Sequence, residues 1–174
     1  SMGGRMCLET ARRHPDVVTG LVLVSATAGI DGPVERADRR ASDEALAARL
    51  EADGVDAFLD RWFSLPLFAG LPPEARFDAE RRTNTAAGLA SSLRLAGTGT
   101  QEPSWEQLDR LDVPVLVVAG ADDAKFSALA RHLVEHIGAN ATLAVIAGAG
   151  HTTHLEAPDE FLAVLRPWLA AHTP

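Results

Sequence analysis

The 174-residue sequence predicts an α/β fold: a mostly parallel sheet flanked by helices and carrying an all-helical cap. Three observations predict it. Unbroken apolar runs of strand length recur along the chain, as strands covered on both faces of a parallel sheet require. Two of these runs, near the C-terminus, are each followed by a segment of helical periodicity. The long stretch after the first run has helical periodicity and no strand pattern.

Taken in order, the opening "SMGGRMCLETARRHP" is helical over 5–14, with Met6, Leu8 and Ala11 on an apolar side and Pro15 as the stop. "VTGLVLVSA", from Val18, reads as a strand buried on both faces. Over 30–111, "ERADRRASDEALAARLEADG", "VDAFLDRWF", "PEARFDAERR" and "AAGLASSLRLAG" read as successive amphipathic helices separated by Gly and Pro. "VPVLVVAG" (113–120) is a strand before a helix at 125–137, and "ATLAVIAG" (141–148) a strand before a helix at 159–171. Repeated strand-helix pairs imply right-handed crossovers. The expected organisation is a core over 1–29, a helical cap over 30–111 on the carboxyl edge where such sheets bind ligands, and a core over 112–174.

Composition narrows the partners. Sixteen Lys and Arg, of which only Lys125 is lysine, face twenty-four Asp and Glu for a net charge of -8. A nucleic-acid partner is not expected of such a chain, because binders of the phosphate backbone carry a basic excess. No apolar run is long enough to span a bilayer, so no membrane partner is expected. A single cysteine, Cys7, cannot form an internal disulfide, and its place inside a helix predicts a small core residue. With no secretory leader pattern, the expected compartment is the cytoplasm.

Three residues could do chemistry together. Ser1 stands at a Gly-rich helix start, Asp123 just after the 113–120 strand, and His151 just after the 141–148 strand. Parallel strands gather such ends along one edge. The order Ser, Asp, His is that of the α/β-hydrolase triad, in which the carboxylate orients the imidazole and the imidazole takes the serine proton. The backbone N–H of Met2 would then serve a developing oxyanion. Each residue also has a plainer reading: Ser1-Met2 as a cleavage scar and start methionine, Asp123 as a helix cap, His151 as a solvated loop residue. "HLVEH" (132–136) has the inverted zinc-protease pattern but no evident third ligand, so no metal site is expected.

These segments resemble one family. "SMGGR" is similar to the second half of the nucleophile elbow G-x-S-x-G-G, and "GADDAKF" and "AGHTTHLEAP" resemble the Asp and His segments of the 2-succinyl-6-hydroxy-2,4-cyclohexadiene-1-carboxylate synthases, or MenH enzymes. "ERADRRASD", "DRWFSLPLF", "RRTN", "GLASSLR" and "GTGTQEPSW" are similar in content and order to that family's cap. The resemblance implies an α/β-hydrolase fold and a lyase of menaquinone biosynthesis that needs no cofactor. Its triad would act as a base on a succinyl-bearing ring, with loss of pyruvate. It further implies Arg39 and Arg82 as clamps for a polycarboxylate substrate and Trp62 as a pocket-lining residue. The family's earlier strands and its H-G oxyanion loop have no counterpart here, and the chain has no tyrosine. The expectation is therefore the C-terminal two-thirds of an enzyme, whose partner is the N-terminal part of its own fold. A serine esterase or carbon–carbon bond hydrolase, and a non-catalytic truncated hydrolase-fold binding protein, are the alternative readings.

Overall fold

The computed structural model describes residues 1–172. It divides into a sheet unit, made of Ser1–Ala28, Gly70–Pro72 and the chain from Ser104 onward, and a helical unit, made of Gly29–Ala69 and Pro73–Pro103.

The sheet unit is built on three parallel strands, β1 (Leu21–Val24), β2 (Val115–Gly120) and β3 (Ala141–Ile146), in the order β1-β2-β3. Leu21 is in register with Val115, and Val115 with Ala141. Every residue of β2 is buried, because it is the central strand. β1 was expected to be covered on both faces along its length; instead Leu21 and Leu23 are buried while Val22 and Val24 are half-buried. Among the described residues β1 and β3 each pair on one side only, a property that a strand's own sequence does not encode.

Helices cover both faces. On one, Leu8 and Ala11 of α1 (Met2–Arg13) and Ala130, Leu133 and Ile137 of α5 (Ala124–Ile137) pack on Leu21, Leu23, Val115 and Val117. On the other, Trp168, Phe161 and Val164 of α7 (Pro158–His172) pack on Val22, Val24, Leu116 and Val118. The short α6 (Thr153–Glu156) precedes α7. Trp105, Leu108 and Leu111 join the first of these cores. That burial is why the helical unit ends at Pro103, short of the expected limit at 111. Cys7 departs from expectation and is exposed: the buried stripe of α1 is Arg5, Leu8 and Ala11, and Cys7 lies off it.

The helical unit has no strand. Its α2 (Pro33–Phe63) is broken at Gly54, whose φ of 83° lies in the left-handed region that glycine tolerates. The break matches the boundary expected between "EADG" and "VDAF". After it come α3 (Asp78–Arg81) and α4 (Ala86–Ala96), the latter capped by the Thr85 hydroxyl on the Gly88 N–H at 3.1 Å. Arg94 of α4 forks onto Glu44 and Glu51 of α2, with four hydrogen bonds of 2.7–2.9 Å tying the two helices together. No helix among the described residues is long and apolar enough to cross a membrane.

Candidate active site

The loops leaving β2 and β3 are stitched together by backbone hydrogen bonds. Ala121 N–H donates to Ile146 at 2.8 Å and Asp122 N–H to Ala149 at 2.9 Å. Gly120 makes this approach possible, since a Cβ there would lie 2.1 Å from the carbonyl oxygens of both Ala149 and Gly150. Its own carbonyl accepts from the Asp123 N–H at 3.2 Å and from the Ser127 hydroxyl at 2.8 Å, which locks the start of α5 to the strand end.

This stitching sets Asp123 beside His151. Nδ1 of the imidazole lies 2.8 Å from Oδ2 of the carboxylate, and both side chains are almost fully buried. A carboxylate only accepts, so Nδ1 carries the proton and the neutral ring presents the Nε2 lone pair. The other oxygen of Asp123, Oδ1, accepts from Phe126 N–H at 3.1 Å. Asp123 is thus both the helix cap of the plainer reading and the imidazole's partner. Phe126 packs edge-on to the His151 ring with centroids 4.5 Å apart. Burial pushes the imidazole below its ordinary value, and the Asp123 hydrogen bond opposes that shift without cancelling it. The resting ring is the neutral, proton-accepting form.

Ser1 is the N-cap of α1, and its side chain makes no capping hydrogen bond. Its nitrogen donates to the Val24 carbonyl, at the end of β1. The next residue, Ser25, donates through Oγ to the carbonyl of His151 at 2.7 Å. Ser1 is therefore linked to the Asp123–His151 pair through the strand end. Met2 follows as the first residue of α1. Sequence reasoning passed over Arg5, which lies one turn after Ser1 and is 6% exposed. The available signal was an arginine three residues before Leu8, on the stripe that α1 buries. It also passed over Ser25 and Glu156; the latter accepts from Gly150 N–H, Thr152 N–H and the Thr152 hydroxyl.

In the helical unit, Arg39 donates through Nε to both oxygens of the buried Asp43, at 2.9 and 3.0 Å. Arg82 donates to Asp56 and lies 3.7 Å from Asp60, so it already serves carboxylates of its own unit. Its hydrogen bond to Asp56 raises the guanidinium above its ordinary value. Trp62 is half-buried between Phe58 and Phe68, with ring centroids 5.5 and 5.6 Å away. A cleft of about 350 Å³ takes in Arg82 with Arg76, Ser64, Leu59 and Phe63, but not Trp62. The paired histidines of "HLVEH" pack edge-on to one another and against Trp105, with the His132 ring tilted at 4.5 Å and the His136 ring edge-on at 5.5 Å from the indole. His136 Nδ1 is 2.9 Å from the His132 carbonyl. Aromatic packing accounts for both rings.

The parallel sheet covered on both faces, with a buried Asp-His pair at its carboxyl edge, is the architecture of a hydrolase-fold protein. Residues 1–164 match the sequence model of the alpha/beta hydrolase family, and the chain belongs to that family. Within it, the chain resembles the 2-succinyl-6-hydroxy-2,4-cyclohexadiene-1-carboxylate synthases. It is 34% identical to the synthase of Serratia proteamaculans over 97% of this chain and 65% of that relative. The structure matches MenH from S. aureus with a TM-score of 0.93 at 32% identity, covering 100% of this chain and 67% of that one. A thermophilic esterase from Thermogutta terrifontis matches with a TM-score of 0.75 at 26% identity, over 99% of this chain and 64% of its own. The chain spans 64% and 65% of the length of two curated relatives it matches.

Proposed function

We propose that this chain carries the larger part of a lyase that eliminates pyruvate from a succinyl-bearing cyclohexene carboxylate in menaquinone biosynthesis. The observation that supports this most is the buried 2.8 Å Asp123–His151 pair, set in segments that resemble those of the MenH enzymes. In this reading Asp123 orients His151, His151 takes the Ser1 hydroxyl proton, and the resulting alkoxide removes a ring proton from the substrate. The C–H electron pair becomes a new ring double bond as the ring C–O bond breaks, and the departing enolate takes up a proton on carbon to become pyruvate. The Met2 N–H faces the negative charge that develops, and no metal or organic cofactor takes part.

The substrate is a polycarboxylate, and guanidinium groups are its natural partners. Arg39 and Arg82 are the proposed clamps, with Trp62 as an apolar wall. In this reading Arg39 keeps Nε on Asp43 and binds the substrate through its terminal nitrogens, whereas Arg82 would exchange or share Asp56. The protein acts in the cytoplasm, with neither nucleic acid nor membrane as partner. A further segment of its own fold stands against β1. Two observations support that last point: among the described residues β1 pairs only with β2, and Met2 and Met6 of α1 are 47% and 42% exposed.

A second reading, a serine esterase or carbon–carbon bond hydrolase, is favoured by the similarity to the Thermogutta esterase and uses the same pair on an acyl carbon. Steady-state turnover of the succinyl-bearing cyclohexene substrate and of a simple aryl ester separates the two. The lyase reading expects Arg39→Ala and Arg82→Ala to cripple elimination and to leave ester cleavage nearly unchanged. Ester cleavage as the faster reaction, insensitive to both arginines, refutes it. Assaying the 174-residue chain beside a longer chain of relatives' length tests the need for the further segment, which equal turnover would dismiss.

A further inference from the structure

The atoms that hold the His151 backbone belong to residues outside the proposed triad. Ser25 Oγ donates to the His151 carbonyl at 2.7 Å. Glu156 spreads its carboxylate across the loop: Oε2 accepts from Gly150 N–H at 2.7 Å, and Oε1 from Thr152 N–H at 2.8 Å and the Thr152 hydroxyl at 2.6 Å. The backbone is therefore gripped at residue 151 and on either side of it. Only Asp123 touches the ring's Nδ1 in this set.

Ser25 holds an unusual backbone conformation. It is 1% exposed, and its φ of 47° places it in the left-handed region. Glycine occupies that region without strain and serine does not. Its N–H continues the ladder to Val118 at 2.9 Å, so β1 and β2 fix where the hydroxyl points. A strained, buried serine whose hydroxyl is spent on the loop of the proposed base has the features of a residue held for position.

We propose that Ser25 and Glu156 are positioning residues that fix the His151 imidazole by clamping the backbone of its loop from two sides. The proposal rests on His151 acting as general base. Ser25 works mechanically, by anchoring the loop to the sheet. Glu156 works mechanically and by its charge, which favours the protonated ring. Asp123 on Nδ1, the Glu156 carboxylate and the edge of Phe126 are among the groups that face His151.

The two clamps have opposite signatures. Ser25→Gly removes the hydroxyl and relieves the φ strain, so the melting temperature stays level or rises. The loosened loop lets water reach the ring, and the His151 pKa moves up toward the free-imidazole value. Glu156→Gln removes the supporting charge and moves it down. The experiment is an NMR titration of ¹⁵N-histidine-labelled protein, wild type and both variants, beside kcat and KM for each. Shifts of opposite sign, with kcat lower by about 10- to 100-fold and KM little changed, are the expected result. A His151 titration that neither variant moves overturns the proposal, as does a kcat loss that only follows the melting temperature. The NMR readout needs no turnover. If Ser1→Ala and His151→Ala retain full activity, the catalytic reading fails while the clamps are still judged by the titration.

Discussion

Asp123 offers the sharpest separation of stability from chemistry, because its two oxygens serve two different donors. Oδ1 caps α5 through Phe126 N–H at 3.1 Å, and Oδ2 takes the His151 Nδ1 proton at 2.8 Å. Asp123→Ala removes both. Losing the cap costs about 1 kcal/mol, and leaving a buried imidazole N–H without its acceptor costs a further 1–3 kcal/mol or so. For a domain of this length each kcal/mol lowers the melting temperature by about 2–4 °C, so the variant melts roughly 5–15 °C early. Asp123→Asn behaves differently, since Asn caps about as well as Asp. Its amide oxygen keeps Phe126 N–H, and its NH₂ turns to His151, where it can only donate. Nδ1 must then accept, the ring proton moves to Nε2, and the lone pair that would receive the serine proton is gone. In triads the same substitution lowers kcat by about 10⁴-fold. The assays are thermal denaturation and turnover of both variants, with the tautomer read from ¹⁵N shifts. Asp123→Asn that melts near the wild type yet turns over above about a tenth of its rate refutes the assigned role, as does an activity loss in both variants that follows melting temperature alone.

Two further outcomes follow from burial. Because burial holds the His151 imidazole below its ordinary value of 6.5, the acid limb of kcat/KM lies below pH 6.5; a limb at or above 6.5 contradicts a buried neutral base. The unfolded chain takes up that proton first, so His151's contribution to stability is intact above pH 6.5 and is lost as pH falls through the folded value. For Glu156 burial works to raise the pKa, but its hydrogen bonds from Thr152 and Gly150 outweigh that and hold it below 4.5, so its contribution persists above that value and is lost in more acidic solution. Denaturant unfolding at stepped pH measures both. Leu23→Ala, at a fully buried position of β1, should cost about 2–5 kcal/mol; a loss below about 1 kcal/mol in denaturant unfolding means that β1 does not pack on α1 and α5 as described.

The parts of the fold that a local pattern encodes were legible. The apolar runs marked all three strands, and Gly54 marked the break in α2. The order of the strands was not, nor was the partial cover of β1 at Val22 and Val24, which was read as fully buried. Asp123 and His151 were legible because each follows a strand in a parallel sheet, where the carboxyl ends converge. Ser25 and Glu156 were not, although "VLVSA" and "HTTHLEAP" contain them. A serine after a strand reads as a turn residue until its φ and its partner 126 positions away are known. The arginines show the same limit. Nothing in "RRTN" states that Arg82 will meet Asp56, and an ion pair made across 26 residues is a product of folding.

These limits bear on how the site can be probed. The residues that assemble the Asp123–His151 pair also end the elements that carry it. Gly120 closes β2 and admits the His151 loop, Ser127 binds that strand end, Asp123 caps α5, and Ser25 continues the β1 ladder. Substitutions there disturb packing and chemistry together, and a loss of activity alone does not assign a role. Asp123→Asn and Ser25→Gly are exceptions for a physical reason: each keeps the backbone geometry of its position while removing one specific polar contact. Arg82 offers the complementary case, since its side chain is 41% exposed and its truncation leaves the core intact, whereas truncating Arg39 strips the buried Asp43 carboxylate of its partner and is read only beside the melting temperature. A substitution that spares the fold and still separates elimination from ester cleavage identifies the reaction, which no perturbation of the strand ends can do.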